Sequence, residues 1–129
     1  MVVQMKKPNF GFTLIELLVV MAIIATLLTI ATPRYIGNVD KAKEAVLKEN
    51  LATLRDSLDK YYADTGKYPM TLDELVSAKY LRKVPLDPVT DSNRTWIVIP
   101  PDDAQKGGAY NVLSGAGGRA RDGSAYRDW

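Results

Sequence analysis

The 129-residue sequence contains neither cysteine nor histidine. Without cysteine the chain forms no disulfide and offers no thiol nucleophile, and without histidine it lacks the commonest general base. These two residue types also supply most ligands of zinc and other transition metals. The composition therefore argues against an enzyme, and we interpret the acid pair Asp102-Asp103, beside two prolines, as solvated loop residues.

The sequence also lacks an excess of charge of either sign. Lys and Arg number 17 against 15 Asp and Glu, which gives a net charge of +2. No basic stretch is interleaved with aromatic residues, as is usual on nucleic-acid-binding surfaces. We therefore expect no nucleic-acid partner.

One long apolar run stands out from this mixed composition. It extends from Phe12 to Ala31 and carries a single charge, Glu16. As a helix rising about 1.5 Å per residue, the run covers roughly the 30 Å hydrocarbon core of a bilayer. The sequence thus predicts a membrane-spanning helix, and because a charge inside a membrane is costly, Glu16 is a candidate functional residue.

A short basic segment with Lys6 and Lys7 precedes the apolar run. Positive residues tend to stay in the cytoplasm, which predicts that the C-terminal part lies in the periplasm. A secretory signal cut near Ala31 is one alternative and would release a soluble periplasmic protein. Against it, the run is longer than the roughly 7–15 apolar residues usual in such signals, and no clean A-x-A site follows.

The basic leader, the motif Gly11-Phe12-Thr13-Leu14-Ile15-Glu16 and the apolar helix together resemble the prepilin signal of type IV pilins and type II secretion pseudopilins. The resemblance implies that a prepilin peptidase cleaves after Gly11 and methylates the new N-terminal amine of Phe12. It also implies that Glu16 acts in assembly by pairing with the N-terminal ammonium of a neighbouring subunit. The alternative is a plain single-pass anchor in which Glu16 lies idle near the headgroups.

A second helical pattern follows Pro33, whose ring predicts a kink or local melting because it removes one helical hydrogen bond. Beyond the proline, apolar residues recur mostly every three or four positions with charged residues between them, which is typical of an amphipathic helix. One nearly continuous helix is therefore predicted from Phe12 to about Tyr62, with Gly66 ending it. The apolar positions are Ile36, Val39, Leu47, Leu51, Leu54, Leu58 and Tyr61.

The C-terminal part has the pattern of a small α+β domain. Thr71 and Glu74 fit a capping box for a short helix from about Leu72 to Ala78. Three short strands are predicted to form an antiparallel sheet with one face covered by the long helix, as in a pilin-like fold. They are Trp96–Ile99, Tyr110–Leu113 and Ala125–Trp129.

The order of these features resembles the major pseudopilin of type II secretion over most of the chain. That resemblance implies a calcium-binding loop near the C terminus, but Gly117 occupies what looks like a family carboxylate position. Asp122 and Asp128, with loop carbonyls and Ser124, would make at best a weak site, because calcium prefers about six to eight oxygen ligands that include carboxylates. The alternative is a glycine-rich loop with solvated acids.

We therefore expect a cleaved leader (1–11), a transmembrane and filament-core helix (12–33) and a periplasmic domain (34–129) that includes the second half of the long helix. The resemblance implies a single-pass protein of the bacterial inner membrane that assembles into a pseudopilus and drives protein export. Its implied partners are further copies, other pseudopilins, the prepilin peptidase and the inner-membrane assembly platform. Two alternatives remain, a type IV pilin of a surface fibre for adhesion, motility or DNA uptake and a lone membrane-anchored binding domain.

Overall fold

The computed structural model describes residues 11–129, so the leader lysines Lys6 and Lys7 and the rest of residues 1–10 lie outside the described residues. The chain divides into two compact units at Gly37. The elements, in chain order, are helix α1 (Leu14–Thr65), helix α2 (Leu72–Ser77), strand β1 (Ile97–Ile99), a first 3-10 helix (Ala104–Lys106), strand β2 (Asn111–Leu113) and a second 3-10 helix (Tyr126–Asp128).

Helix α1 contains 52 residues and continues through Pro33, as the sequence predicted. The helix is unbroken at this proline, so the predicted local melting is wrong, and the kink stays a prediction. Three threonines before or beside it donate their hydroxyls to backbone carbonyls four residues earlier, at 2.6–2.8 Å. The helix itself therefore satisfies these hydroxyls. This matters because the surrounding residues are apolar and offer no polar side chains as partners. The threonines are Thr26, Thr29 and Thr32.

Within residues 11–129, no other part of the protein covers the apolar side chains in the first part of α1. From Phe12 to Ile30 the large hydrophobic residues are 45–83% exposed. Among the described residues, α1 is the one helix long and apolar enough to cross a membrane. A continuous apolar surface of this size marks a region that contacts lipid or other protein chains.

In the second unit, α1 supplies one wall of the hydrophobic core. Leu47, Leu51, Leu54 and Leu58 are at most 2% exposed and recur at steps of four, three and four residues. That spacing aligns them on one face of the helix, which confirms the predicted amphipathic pattern for these four leucines, whereas the predicted Ile36 is exposed. The buried residues that complete this core are Leu72, Leu75, Trp96, Ala109 and Val112.

Strands β1 and β2 pair antiparallel, with Val98 opposite Val112, and form the only sheet within residues 11–129. The chain leaving β2 passes very close to the chain entering β1. A Cβ atom placed on Gly115 would lie 2.0 Å from the backbone oxygen of Thr95. Only glycine fits at this position, because any side chain would overlap a backbone that cannot move aside alone.

The predicted third strand, Ala125–Trp129, is wrong. Tyr126–Asp128 instead form the second 3-10 helix, and a single isolated bridge joins Arg119 to Ala125. The physical reason lies in the preceding turn, where Gly123 has a φ of 88°. Glycine adopts this left-handed conformation at little cost, and the chain therefore turns back on itself instead of extending along β2.

The capping box predicted for α2 is only half correct. Thr71 occupies the N-cap position, but its hydroxyl makes no capping bond. Glu74 does reach back, although it accepts from the N–H of Met70 at 2.6 Å instead of from that of Thr71. Its other oxygen accepts from the Tyr61 hydroxyl at 2.9 Å, which raises the pKa of Tyr61 and ties α2 to α1.

Asp87 holds in place the irregular segment that connects α2 to β1. This carboxylate is fully buried and accepts hydrogen bonds from the Val89 N–H and the Ser114 hydroxyl. Ser114 lies directly after β2, so the pair joins the segment between α2 and β1 to the start of the C-terminal loop, residues 115–129. A buried carboxylate is costly unless such donors satisfy it, and within the described residues no buried side-chain polar atom lacks a partner.

Candidate assembly site and C-terminal loop

Glu16 begins α1 in a reciprocal pair with Thr13. The Thr13 N–H donates to Glu16 Oε2 at 3.0 Å, and the Glu16 N–H donates to Thr13 Oγ1 at 3.2 Å. These two bonds are a capping box, which satisfies two of the free N–H groups at a helix start. Our sequence analysis treated Glu16 as a lone acid and missed this pair, although the T-x-x-E spacing that signals it is plain in the sequence.

The capping box places a carboxylate at the positive end of a long helix. Negative charge is favoured there, because the peptide dipoles of the helix sum to a partial positive charge at its N-terminus. Glu16 is thus partly compensated by its own chain. Its position one turn from Phe12 also puts it near the amine that cleavage after Gly11 would create.

Gly11 and Phe12 lie before the helix and are exposed. A Cβ atom placed on Gly11 would meet nothing within 4 Å. The peptide bond between Gly11 and Phe12 is therefore exposed and lies outside the helix. Both features suit a peptidase substrate, which must present extended backbone.

At the other end of the chain, Asp122 is bonded within its own turn. Its Oδ1 accepts from the Ser124 N–H at 2.9 Å and from the Ser124 hydroxyl at 2.6 Å, and these bonds lower the pKa of Asp122. Asp128 lies in the second 3-10 helix. Within the part of the chain that the structure describes, no three acidic side chains are grouped so as to hold a metal ion.

Several oxygens of this loop already accept hydrogen bonds within the protein. Ser124 Oγ donates to Asp122 and accepts from the Trp129 indole N–H at 2.7 Å. Because a calcium ion would need about six to eight such oxygens, this donor set fits the ion implied by the resemblance poorly. The carbonyls that accept hydrogen bonds are those of Gly118, Ala120, Gly123, Ser124, Ala125 and Tyr126.

Three charged side chains of α1 contact the loop. Glu44 Oε1 accepts from the Arg121 N–H at 2.8 Å, and Lys48 Nζ lies 4.6 Å from the centroid of the Trp129 ring. Arg55 Nη2 donates to the main-chain oxygen of Trp129 at 2.6 Å. The sequence pattern placed charged residues only between the apolar positions of this helix, and no local signal could have found contacts with residues 74–81 positions away.

Two protein families match this sequence. Residues 6–32 match the family described as the prokaryotic N-terminal methylation motif, and residues 34–125 match the family described as type II secretion system (T2SS), protein G. The first match contains Gly11, Phe12 and Glu16. The second covers the whole C-terminal part up to Ala125.

Several curated relatives carry the name type II secretion system core protein G. The relative from Escherichia coli (strain K12) is 31% identical over 120 residues, which span 81% of this chain and 79% of the relative. The one from Klebsiella pneumoniae is 35% identical over 94 residues, or 60% of this chain and 67% of the relative. That from Aeromonas hydrophila is 31% identical over 99 residues, or 64% and 69%. No solved structure matches this chain.

Proposed function

The chain belongs to the type II secretion system protein G family, and we propose that it is a structural subunit of a pseudopilus that drives protein export. The observation that carries this proposal is the exposed apolar first half of α1, which begins with Glu16 in a capping box. Such a helix needs lipid before assembly and neighbouring helices afterwards. The match over residues 34–125 favours this function over a surface pilin or a lone binding domain.

In the membrane-stored state, we propose that residues 12–33 span the bilayer once and that residues 34–129 lie in the periplasm. The leader lysines support this orientation through the positive-inside tendency. The capping box supports storage, because the Thr13 N–H compensates the Glu16 carboxylate near the membrane surface. The division of the chain at Gly37 lies close to the proposed boundary between the two parts.

During assembly, we propose that Glu16 exchanges its own Thr13 N–H for the methylated ammonium of a neighbouring Phe12. A carboxylate paired with a cation in an apolar interior is far better satisfied than one bonded to a neutral N–H. The proposed partners are the prepilin peptidase, the inner-membrane assembly platform, other pseudopilins and further copies of this chain. The methylation motif over residues 6–32 supports the peptidase.

Processing provides the first test of this proposal. We expect cleavage to remove residues 1–11 and to leave an N-methylated Phe12, because the junction precedes the apolar run. Intact-mass measurement of the membrane-extracted protein distinguishes this product from a chain cut near Ala31. A cut near Ala31, or no cut at all, would show that the N-terminus is a secretory signal or a plain anchor.

Gly11→Leu is the matched variant for the same measurement. We expect uncleaved precursor to accumulate in the membrane, because the peptidase must admit extended backbone at this position. Gly37→Leu serves as a control, since a Cβ at Gly37 also meets nothing within 4 Å. Normal processing of Gly11→Leu would argue against cleavage at this bond.

A further inference from the structure

We propose that the C-terminal loop, residues 115–129, folds without calcium because contacts from α1 close it. This inference concerns the stability of the loop and does not depend on the pseudopilus function. The resemblance to major pseudopilins implies a calcium ion bound in this loop. In this chain Glu44, Lys48 and Arg55 close the loop instead, and all three extend from α1.

The first step of the argument is that the loop closes on itself. The Ala120 N–H donates to the Ser124 carbonyl at 2.7 Å, and the Gly123 N–H donates back to Ala120 at 3.0 Å. The Arg119 guanidinium reaches across the same turn to the carbonyl of Gly123 at 2.8 Å. A turn in which these oxygens are already paired has no need of a cation to satisfy them.

The second step is that a carboxylate from outside the loop fixes its middle. Glu44 Oε1 accepts from the Arg121 N–H at 2.8 Å and lies 3.5 Å from the Tyr126 hydroxyl. A charge-assisted bond to a backbone N–H is stronger than a neutral one. Glu44 thus binds a backbone donor of the loop, whereas a calcium ion would bind its oxygens.

The third step concerns the end of the loop. Arg55 is half-buried and donates to the main-chain oxygens of Val112 and Trp129 at 3.1 and 2.6 Å. One guanidinium therefore joins β2 to the end of the loop. Lys48 covers the Trp129 ring, a cation–π contact that adds to the same closure.

The charges of the loop favour the same conclusion. It contains three arginines, Arg119, Arg121 and Arg127, but only two acids, Asp122 and Asp128. A net positive loop repels a divalent cation, and calcium affinity depends strongly on the number of carboxylate ligands. The resemblance places Gly117 where the family has a carboxylate, so the loop offers one carboxylate fewer to a cation, and side chains of α1 hold its shape instead.

The test measures thermal unfolding of the full mature chain in detergent micelles, with either calcium or EGTA present. A calcium site at a hundredfold excess over its Kd would raise the Tm by roughly 10 °C or more. We expect the Tm in calcium and in EGTA to differ by less than about 2 °C, which is well below that effect. A fall of roughly 10 °C in EGTA that calcium reverses would overturn the proposal.

Hydrogen exchange supplies a local measurement in the same samples. We expect peptides spanning residues 119–129 to be equally protected in calcium and EGTA. Glu44→Leu, which removes the acceptor for Arg121, should lose this protection in both conditions. Glu49→Leu, another exposed acid on α1, is the matched control and should keep it.

Glu44→Gln covers the case in which Glu44→Leu fails to fold. The amide oxygen still accepts from Arg121 but carries no charge, so we expect partial protection that calcium does not change. Two results would contradict the proposal. One is a loss of protection in EGTA alone in the wild-type chain, and the other is protection in both Glu44 variants equal to that of Glu49→Leu.

Discussion

Glu16→Val should abolish filament assembly while membrane insertion stays intact or improves. The substitution removes the only charge in the apolar run, which lowers the cost of placing the helix in lipid. In the filament, however, the ammonium of Phe12 would enter an apolar bundle without a carboxylate partner. Leaving one member of a buried pair unpaired costs roughly 3–5 kcal/mol, and this cost recurs at every added subunit.

Glu16→Gln separates the capping of α1, which the structure shows, from the proposed pairing with the ammonium of Phe12. Glutamine can still complete a capping box with Thr13, but it carries no charge. If pairing with the ammonium is what matters, Glu16→Gln should fail to assemble although its helix is capped. Glu16→Asp should be intermediate, because the charge remains while its reach shortens by one methylene.

The measurement is the amount of filament sheared from cells that express each variant beside wild type. Precursor cleavage and membrane levels must be equal among the strains. Wild-type assembly by Glu16→Gln would assign the residue to helix capping alone. Wild-type assembly by Glu16→Val would remove any role for the acid in the filament.

Gly115→Ala should strongly destabilise the C-terminal part. The new methyl group would lie 2.0 Å from the backbone oxygen of Thr95, so either β1 or the start of the loop must shift. Overpacking of this kind costs roughly 1–3 kcal/mol, and the upper end applies here because the obstacle is backbone. For a domain of this size the Tm should fall by roughly 10 °C or more.

Gly117→Ala is the matched control, two residues along the same loop. A Cβ at Gly117 meets nothing within 4 Å. Thermal unfolding of both variants in detergent should therefore separate them clearly, with Gly117→Ala close to wild type. Equal melting temperatures for the two would mean that the chain leaving β2 can move away from Thr95 at little cost.

Local patterns explain which parts of this structure were predictable. The spacing of the leucines from Leu47 to Leu58 defines one face of a helix, and it correctly predicted that this face is buried. The apolar run after Phe12 was equally plain, because its length and composition alone distinguish it. Both signals arise from neighbours within one element, where sequence spacing and spatial distance are tied by helix geometry.

The error in the third strand was local, whereas the missed loop contacts join residues that are distant in the sequence. Ala125–Trp129 is rich in aromatic residues, which favour strands, but the turn at Gly123 and the hydrogen bond from the Trp129 indole N–H to Ser124 Oγ fold it back. The contacts of Glu44 and Arg55 with the loop join positions far apart in the chain. Charged residues on a helix usually face water, so the sequence held no reason to separate these two from the others.

The uncovered apolar side chains of α1 also bear on whether filament growth can be reversed. Lipid chains are about as apolar as leucine, so exchanging them for neighbouring helices changes the hydrophobic free energy of Leu17 or Ile24 very little. The apolar surface of this helix therefore adds little free energy per added subunit, and packing fit and the proposed charge pair at the helix start decide what it contributes. Under the proposed function, the apolar half of α1 could leave the filament for the bilayer at little hydrophobic cost.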